Sequence, residues 1–161
     1  MIRHATPADH LAIRAVVHAA FGQADEADLV ERLRAAGDVM FELVEEDGGE
    51  IVGHILYSRL WADSVNLYAA LAPLAVRPDR QKSGVGKRLT AASLDTAKEF
   101  GVHAVIVLGH PEYYPKFGFS NDAAAKVKCP YSGSPALMAL ALEDGALDEA
   151  LLVAYPDAFN G

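Results

Sequence analysis

The feature that most constrains this chain is a change of pattern between residues 71 and 100. An apolar run over residues 71–76 passes into R-P-D-R-Q-K-S-G-V-G-K-R at residues 77–88. Apolar or small residues then recur at Val85, Leu89, Ala92, Thr96 and Phe100, at spacings of four, three, four and four. That period predicts a helix over residues 84–100 with one buried face. Gly84 and Gly86 stand where strand gives way to helix. Glycines there let backbone N–H groups come close to a ligand, and a helix N-terminus carries a partial positive charge. The stretch reads as an anion site.

The charge distribution agrees. The chain has a formal net charge of −8, yet Arg77, Arg80, Lys82, Lys87 and Arg88 put five of its 14 Lys and Arg into this short stretch, against Asp79 alone. A small basic patch in an acidic chain suits a compact polyanion rather than a nucleic acid. Two nucleotide motifs fail here. A Walker A loop needs Gly where Gln81 stands and Ser or Thr where Arg88 stands. The dinucleotide fingerprint needs a third Gly where Leu89 stands.

A length of 161 residues suits one domain, and 52% hydrophobic with 22% charged residues is a globular composition. No uninterrupted apolar run approaches membrane-spanning length, and the polar start at Arg3, His4, Asp9 and His10 lacks a signal-peptide core. Cys129 is the single cysteine, which excludes an internal disulfide and fits a reducing cytoplasm. The six histidines are scattered, so no metal-ligand cluster is expected.

Along the chain, residues 2–5 read as a strand, and Thr6 with Pro7 as the start of a helix carrying Ile13, Val16, Val17 and Ala20 on one face. A second helix is expected over residues 24–36, ended by Gly37. Strands at 40–46 and 50–60 are joined by Asp47-Gly48-Gly49, a hairpin signal. On the second of these, Ile51, Gly53, Ile55 and Tyr57 share one face and Val52, His54, Leu56 and Ser58 the other. Both faces are largely apolar, which predicts a central strand covered on both sides. A fourth strand spans 66–76, and Pro73 predicts a bulge or break within it. After the helix, a fifth strand at 103–108 closes a parallel crossover. A turn or short helix is expected over 109–119, strands near 124–128 and 136–142, and a last apolar piece at 151–155.

What remains of the phosphate motif is Gln81-x-x-Gly84-x-Gly86 after a strand. It resembles the Gln/Arg-x-x-Gly-x-Gly/Ala motif of the GNAT acetyltransferases, which in that family wraps the pyrophosphate of coenzyme A. The family commonly carries a tyrosine four residues before a Gly-Phe pair after its fifth strand, and Tyr114 stands four before Gly118-Phe119. The phrase G-H-P-E-Y-Y-P-K-F-G-F at 109–119, with L-A-P-L-A-V at 71–76, is similar to the YhbS-type bacterial branch. The order of elements matches as well, so the resemblance covers most of the chain. It implies an α/β GNAT fold in a single domain over residues 1–161: a mixed central sheet of six to seven strands, helices on both faces and a β-bulge in the fourth strand.

The resemblance also implies roles. Leu74, Ala75 and Val76 are expected to offer backbone groups to the pantetheine arm of acetyl-CoA, with a backbone N–H near Leu74 polarising the thioester carbonyl. Pro73 is expected to help splay strands 4 and 5. Gln81, Lys82, Ser83, Gly84, Val85, Gly86, Lys87 and Arg88 are expected to hold the pyrophosphate, mainly through backbone N–H groups, with Arg80 or Lys82 at the 3′-phosphate. Tyr114 is expected to protonate the departing thiolate as general acid, with Tyr113 as the fallback.

Many family members place a glutamate on the fourth strand as base, and this chain has no acid there. His54 reads as a satisfied buried histidine, and a turn and a helix start explain His110 and Glu112 equally well, so no base is assigned. Cys129 reads as a small buried hydrophobe, and Trp61 and Tyr68 as core or hairpin aromatics. The expected activity is acetyl transfer from acetyl-CoA to a primary amine of a small molecule or protein, in the cytoplasm, with no metal, nucleic acid or membrane. The alternatives are a catalytically weak acyl-CoA sensor of the same fold and a longer acyl donor. A homodimer through residues 136–142 is possible on their apolar character, and an intramolecular strand explains them as well.

Overall fold

The structure, a computed structural model, describes residues 1–160. In chain order it contains β1 (Ile2–His4), α1 (His10–Phe21), α2 (Asp25–Ala36), β2 (Val39–Asp47), β3 (Glu50–Ala62), β4 (Tyr68–Val76), α3 (Val85–Glu99), β5 (Ala104–Leu108), β6 (Val127–Lys128), β7 (Leu137–Ala141) and β8 (Leu151–Ala154). The main path of the sheet is β1-β2-β3-β4-β5-β7. β8 pairs with the far end of β3 through Trp61 and Ala62, and β6 pairs with β8. The sheet thus has eight strands, against the six to seven expected. β6 and β8 are two and four residues long, too short to display a period of two in sequence. β4 and β5 pair in parallel across the α3 crossover, and β2, β3 and β4 are antiparallel, so the sheet is mixed.

β3 lies between β2 and β4 and is buried almost throughout residues 51–58, as its two apolar faces require. The alternation of faces has one exception. Glu45 pairs with Gly53 but Glu46 with Ile51, so Val52 is an extra residue in β3. This bulge exchanges the two side chains before Gly53. Val52 joins the cluster under α3, and Ile51 packs with Ile13, Val16 and Val17 of α1 on the opposite face.

α3 sits close on β3 because Gly53 has no side chain. A Cβ there would lie 2.6 Å from Val85 and 2.7 Å from Leu89. The buried face of α3 is Val85, Leu89, Thr90, Ser93, Leu94 and Ala97. This is rotated from the face expected, since Ala92 and Thr96 are half-buried and Phe100 is exposed, resting against Phe41. Two hydroxyl residues could enter the buried face because the helix satisfies them itself. Thr90 donates to the Gly86 carbonyl and Ser93 to that of Thr90, both at 2.8 Å. Apolar periodicity cannot register such residues. Among the described residues no helix is long and apolar enough to cross a membrane.

The other face carries a polar group deep in the core. His54 is fully buried, and its Nε2 lies 2.8 Å from the carboxylate of Glu42. Arg34 donates to both oxygens of the same carboxylate, at 2.9 and 2.7 Å. Burial pushes the His54 imidazole down and keeps it neutral, so Nε2–H donates to Glu42. Burial alone would raise Glu42, but the hydrogen bonds from His54 and Arg34 outweigh it and hold its carboxyl at about 2. His54 is only half satisfied, because its Nδ1 has no partner.

A depressed native pKa stabilises the fold above the unfolded value of the group and loses that contribution as pH falls. For His54 the loss begins near pH 6.5, at up to about 1.4 kcal/mol per pH unit. Thermal unfolding followed between pH 7 and 5 should show a steeper fall in midpoint for the wild type than for His54→Gln. Parallel profiles would mean that His54 titrates alike in the native and unfolded states.

Candidate active site

The slot begins as a mismatch of strands. On β4, Leu74 pairs with Ile55 and Leu71 with Tyr57, so Ala72 and Pro73 together face Leu56. This is the bulge that Pro73 predicted. Parallel pairing with β5 covers only Tyr68, Ala69 and Ala70. Beyond them β4 runs on to Val76 bound to β3 alone, and a gap opens towards β5.

An antiparallel ladder alternates between residues bonded to the neighbour and residues facing away. Arg77 donates its N–H to Val52 at 2.9 Å, which sets the phase. Arg77 and Ala75 therefore engage β3, whereas the N–H and C=O groups of Leu74 and Val76 face the gap. Gln81 Nε2 donates to the outward Val76 carbonyl at 3.1 Å, consistent with that phase. The side chains alternate too: Ala75 packs under α1, and Leu74 and Val76 lean on the α3 side.

The loop between β4 and α3 curls tightly. Lys82 has φ of 63° and Gly84 of 93°, both left-handed. Gly84 is the N-cap of α3 and no side chain caps the helix. The first bond within the helix runs from Arg88 N–H to the Gly84 carbonyl at 3.0 Å, which leaves the N–H groups of Val85, Gly86 and Lys87 at the open end. Such a terminus favours an anion.

The five cations of this stretch divide into two sets. Arg77 meets Asp79 at 2.6 Å and Glu50 at 3.1 Å, and Arg80 meets Asp47 at 2.7 Å. Arg88 grips both oxygens of Glu45 at 2.9 and 2.7 Å. Glu45 is only 5% exposed, so this pair fastens the start of α3 to β2. The expectation that Asp79 alone opposes the patch is thus corrected: the β2–β3 hairpin supplies three more carboxylates. Arg80 and the Arg88 side chain are braces of the loop, not free phosphate ligands. Lys82 and Lys87 enter no ion pair among the described residues and line the cleft.

That cleft, about 670 Å³, collects Leu74, Val76, Gln81, Lys82, Gly84, Gly86, Lys87 and Tyr114 from the predicted set. Ala75, Ser83, Val85 and Arg88 are not on its wall. Val85 is buried in the core and Ser83 bonds back to the Arg80 carbonyl, so these two face the cleft at most through their backbone. The remaining walls are His110 and Tyr113, weighed in sequence as a candidate base and as the fallback acid, and Ala20 and Phe21 at the end of α1, which were not predicted as site. Phe21 is an exposed aromatic at a helix end, and nothing in local sequence ties it to residues fifty or more positions away.

Tyr113 and Tyr114 open a single 3-10 turn and stand edge to face, 5.0 Å between centroids. Their hydroxyls have different surroundings. The Tyr113 hydroxyl lies 3.4 Å from Thr90 Oγ1, tethering the turn to α3. Tyr114 is buried to 7% exposure at the cleft wall, and burial pushes its phenol up, so it holds its proton. His54 points into the α1–α2 core and is remote from this role, as expected. Outside the cleft, Ser120 exchanges both backbone hydrogen bonds with Ala139 on the outer edge of β7, so that edge is engaged within the chain.

Sequence reading missed Gly109. A Cβ there would lie 2.4 Å from the Tyr114 ring, so the ring occupies the place of the absent side chain. A glycine at the strand end was visible, but the turn expected over 109–119 already accounted for it. Overpacking predicts that Gly109→Ala costs about 1–3 kcal/mol. In a Tyr114→Ala background the same substitution should cost almost nothing. A denaturant double-mutant cycle checks this, and additive costs would mean that Gly109 serves something other than the ring.

Residues 11–119 match the model of the acetyltransferase (GNAT) family. The chain is 34% identical over 164 residues to an uncharacterized N-acetyltransferase, YhbS, of Escherichia coli K12, covering 99% of this chain and 98% of that one. It is 40% identical over 120 residues to YjhQ of the same organism, also an uncharacterized N-acetyltransferase, covering 71% of this chain and 66% of YjhQ. Among solved structures, E. coli YhbS in complex with CoA superposes with a TM-score of 0.91 at 33% identity, covering 100% of this chain and 92% of that one. A GNAT acetyltransferase of Brucella melitensis in complex with acetyl-CoA gives 0.82 at 29% identity, covering 99% and 97%. Strand parting, uncapped helix start and sequence agree, and the chain belongs to the acetyltransferase (GNAT) family.

Proposed function

We propose that this protein is an N-acetyltransferase that moves acetyl from acetyl-CoA to a primary amine by direct attack. The reading rests on the convergence in one cleft of a strand with free backbone groups, an open helix terminus and a protonated phenol. Acetyl-CoA fits that set. Its pantetheine arm lies along β4 like an added strand, against the gap-facing backbone of Leu74 and Val76. The Leu74 N–H is the oxyanion contact for the thioester carbonyl. The N–H groups of residues 83–87 hold the pyrophosphate, with the side chains of Lys82 and Lys87 offsetting its charge. The complexes of YhbS with CoA and of the Brucella protein with acetyl-CoA support acetyl-CoA as the ligand.

In the reaction the amine nitrogen attacks the thioester carbon, and the carbonyl electron pair moves to oxygen. Its return expels sulfur, to which Tyr114 donates its proton. The raised phenol keeps its proton across the neutral range, so an O–H is in place to donate as charge develops on sulfur. The acidic balance of the chain, −8, favours encounter with a cationic acceptor. The single cysteine fits a reducing compartment, and we place the enzyme in the cytoplasm.

Release of free CoA thiol from acetyl-CoA, measured with a panel of primary amines, tests the reading. Amine-dependent release is expected, and Tyr114→Phe should lower kcat about 10²–10⁴-fold with an unchanged Kd for acetyl-CoA. Tight acetyl-CoA binding without amine-dependent release in the wild type would identify an acyl-CoA sensor instead.

A further inference from the structure

An amine that is protonated in water must lose a proton before or during its attack, and the family's common solution is unavailable here. β4 carries no acid, and among the described residues no carboxylate lines the cleft. The nearby buried acids are engaged elsewhere. Glu42 faces Arg34 and His54, and Glu45 is held by Arg88. The groups on the cleft wall able to exchange protons are Lys82, Lys87, His110, Tyr113 and Tyr114. Lysines are cations near neutral pH, and burial raises both phenols, so neither type takes up a proton there. Imidazole is the side chain that changes charge in that range.

We propose that His110 is the general base of the reaction; the assignment rests on the acetyltransferase reading above. Its position suits the task. The carbonyl of His110 accepts the N–H groups of Tyr113 at 3.1 Å and Tyr114 at 3.4 Å, so base and acid belong to one hydrogen-bonded turn. The preceding residue, Gly109, is tied to Ala136 beside β7 at 3.0 Å and holds the Tyr114 ring. The turn is therefore anchored on both sides. His110 itself is exposed, so its imidazole can return a proton to solvent after each cycle. It enters no ion pair among the described residues. The charged groups facing the same space are Lys82 and Lys87 from the α3 loop, and Glu112 on its own segment is exposed.

The steps balance. The ammonium first gives one proton to the His110 imidazole, which passes it to solvent. The neutral nitrogen then bonds to the acetyl carbon, the carbon–sulfur bond breaks, and sulfur takes the Tyr114 proton. The second nitrogen proton passes through His110 and solvent to the phenolate, leaving amide, free thiol and one released proton.

The test uses the fastest acceptor of the amine panel, with kcat and kcat/KM followed from pH 6 to 9. His110→Gln should lower kcat about 10²-fold and remove the imidazole limb on the acid side, with the Kd for acetyl-CoA unchanged. Added imidazole should restore part of the activity of His110→Ala, which a structural role would not allow. Wild-type kcat and an intact acid limb in His110→Gln, or no rescue by imidazole, would overturn the assignment while leaving the acetyltransferase reading in place. Absence of amine-dependent release in the wild type itself would remove both.

Discussion

The structure depends on one break in pairing. If β4 kept its parallel ladder with β5 along its whole length, Leu74 and Val76 would bond to the sheet and no slot would exist. The extra residue at Ala72–Pro73 prevents this. Proline has no N–H to give a ladder, and two residues against one bend the strand away from its neighbour. β3 holds the other edge of β4, so the departure from β5 leaves the strand supported. The backbone polar groups that result are unpaired within the sheet, and apart from the Val76 carbonyl, which Gln81 meets, they are available to a ligand at the cleft.

Around that slot the protein separates positioning from charge. Three arginines that look like anion ligands in sequence are held by acids of the β2–β3 hairpin, and the buried Glu45–Arg88 pair fixes the first turn of α3. The loop keeps its left-handed shape, and its open N–H groups and two lysines are left to meet an anion. Glycines make the same point sterically. Gly53 admits α3 to the sheet, and Gly109 admits the Tyr114 ring. Neither faces a turn requirement; each stands where another residue's atoms must be.

Much of this was legible in sequence because local signals carried it. The apolar run followed by Gly84 and Gly86 located the loop, the hairpin at Asp47–Gly49 and the bulge at Pro73 stood where expected, and the Tyr114 phrase marked the cleft wall. What escaped was non-local or self-satisfying. Glu45 and Asp47 are some forty and thirty residues from the arginines they hold. Thr90 and Ser93 turned the buried face of α3 because their hydroxyls bond to the helix itself. The swap of Ile51 and Val52 followed from a bulge in β3 opposite β2, set by pairing rather than by either residue. Phe21 reaches the cleft only because α1 ends beside it.

Amide hydrogen exchange at Leu74 and Val76 tests the central claim most directly. Their N–H groups face the open slot, and a pantetheine arm added as a strand would protect them. Slower exchange at both on addition of acetyl-CoA, with Ala75 unchanged and with no effect of ADP, is the result the account predicts. Unchanged exchange at both under saturating acetyl-CoA would contradict it.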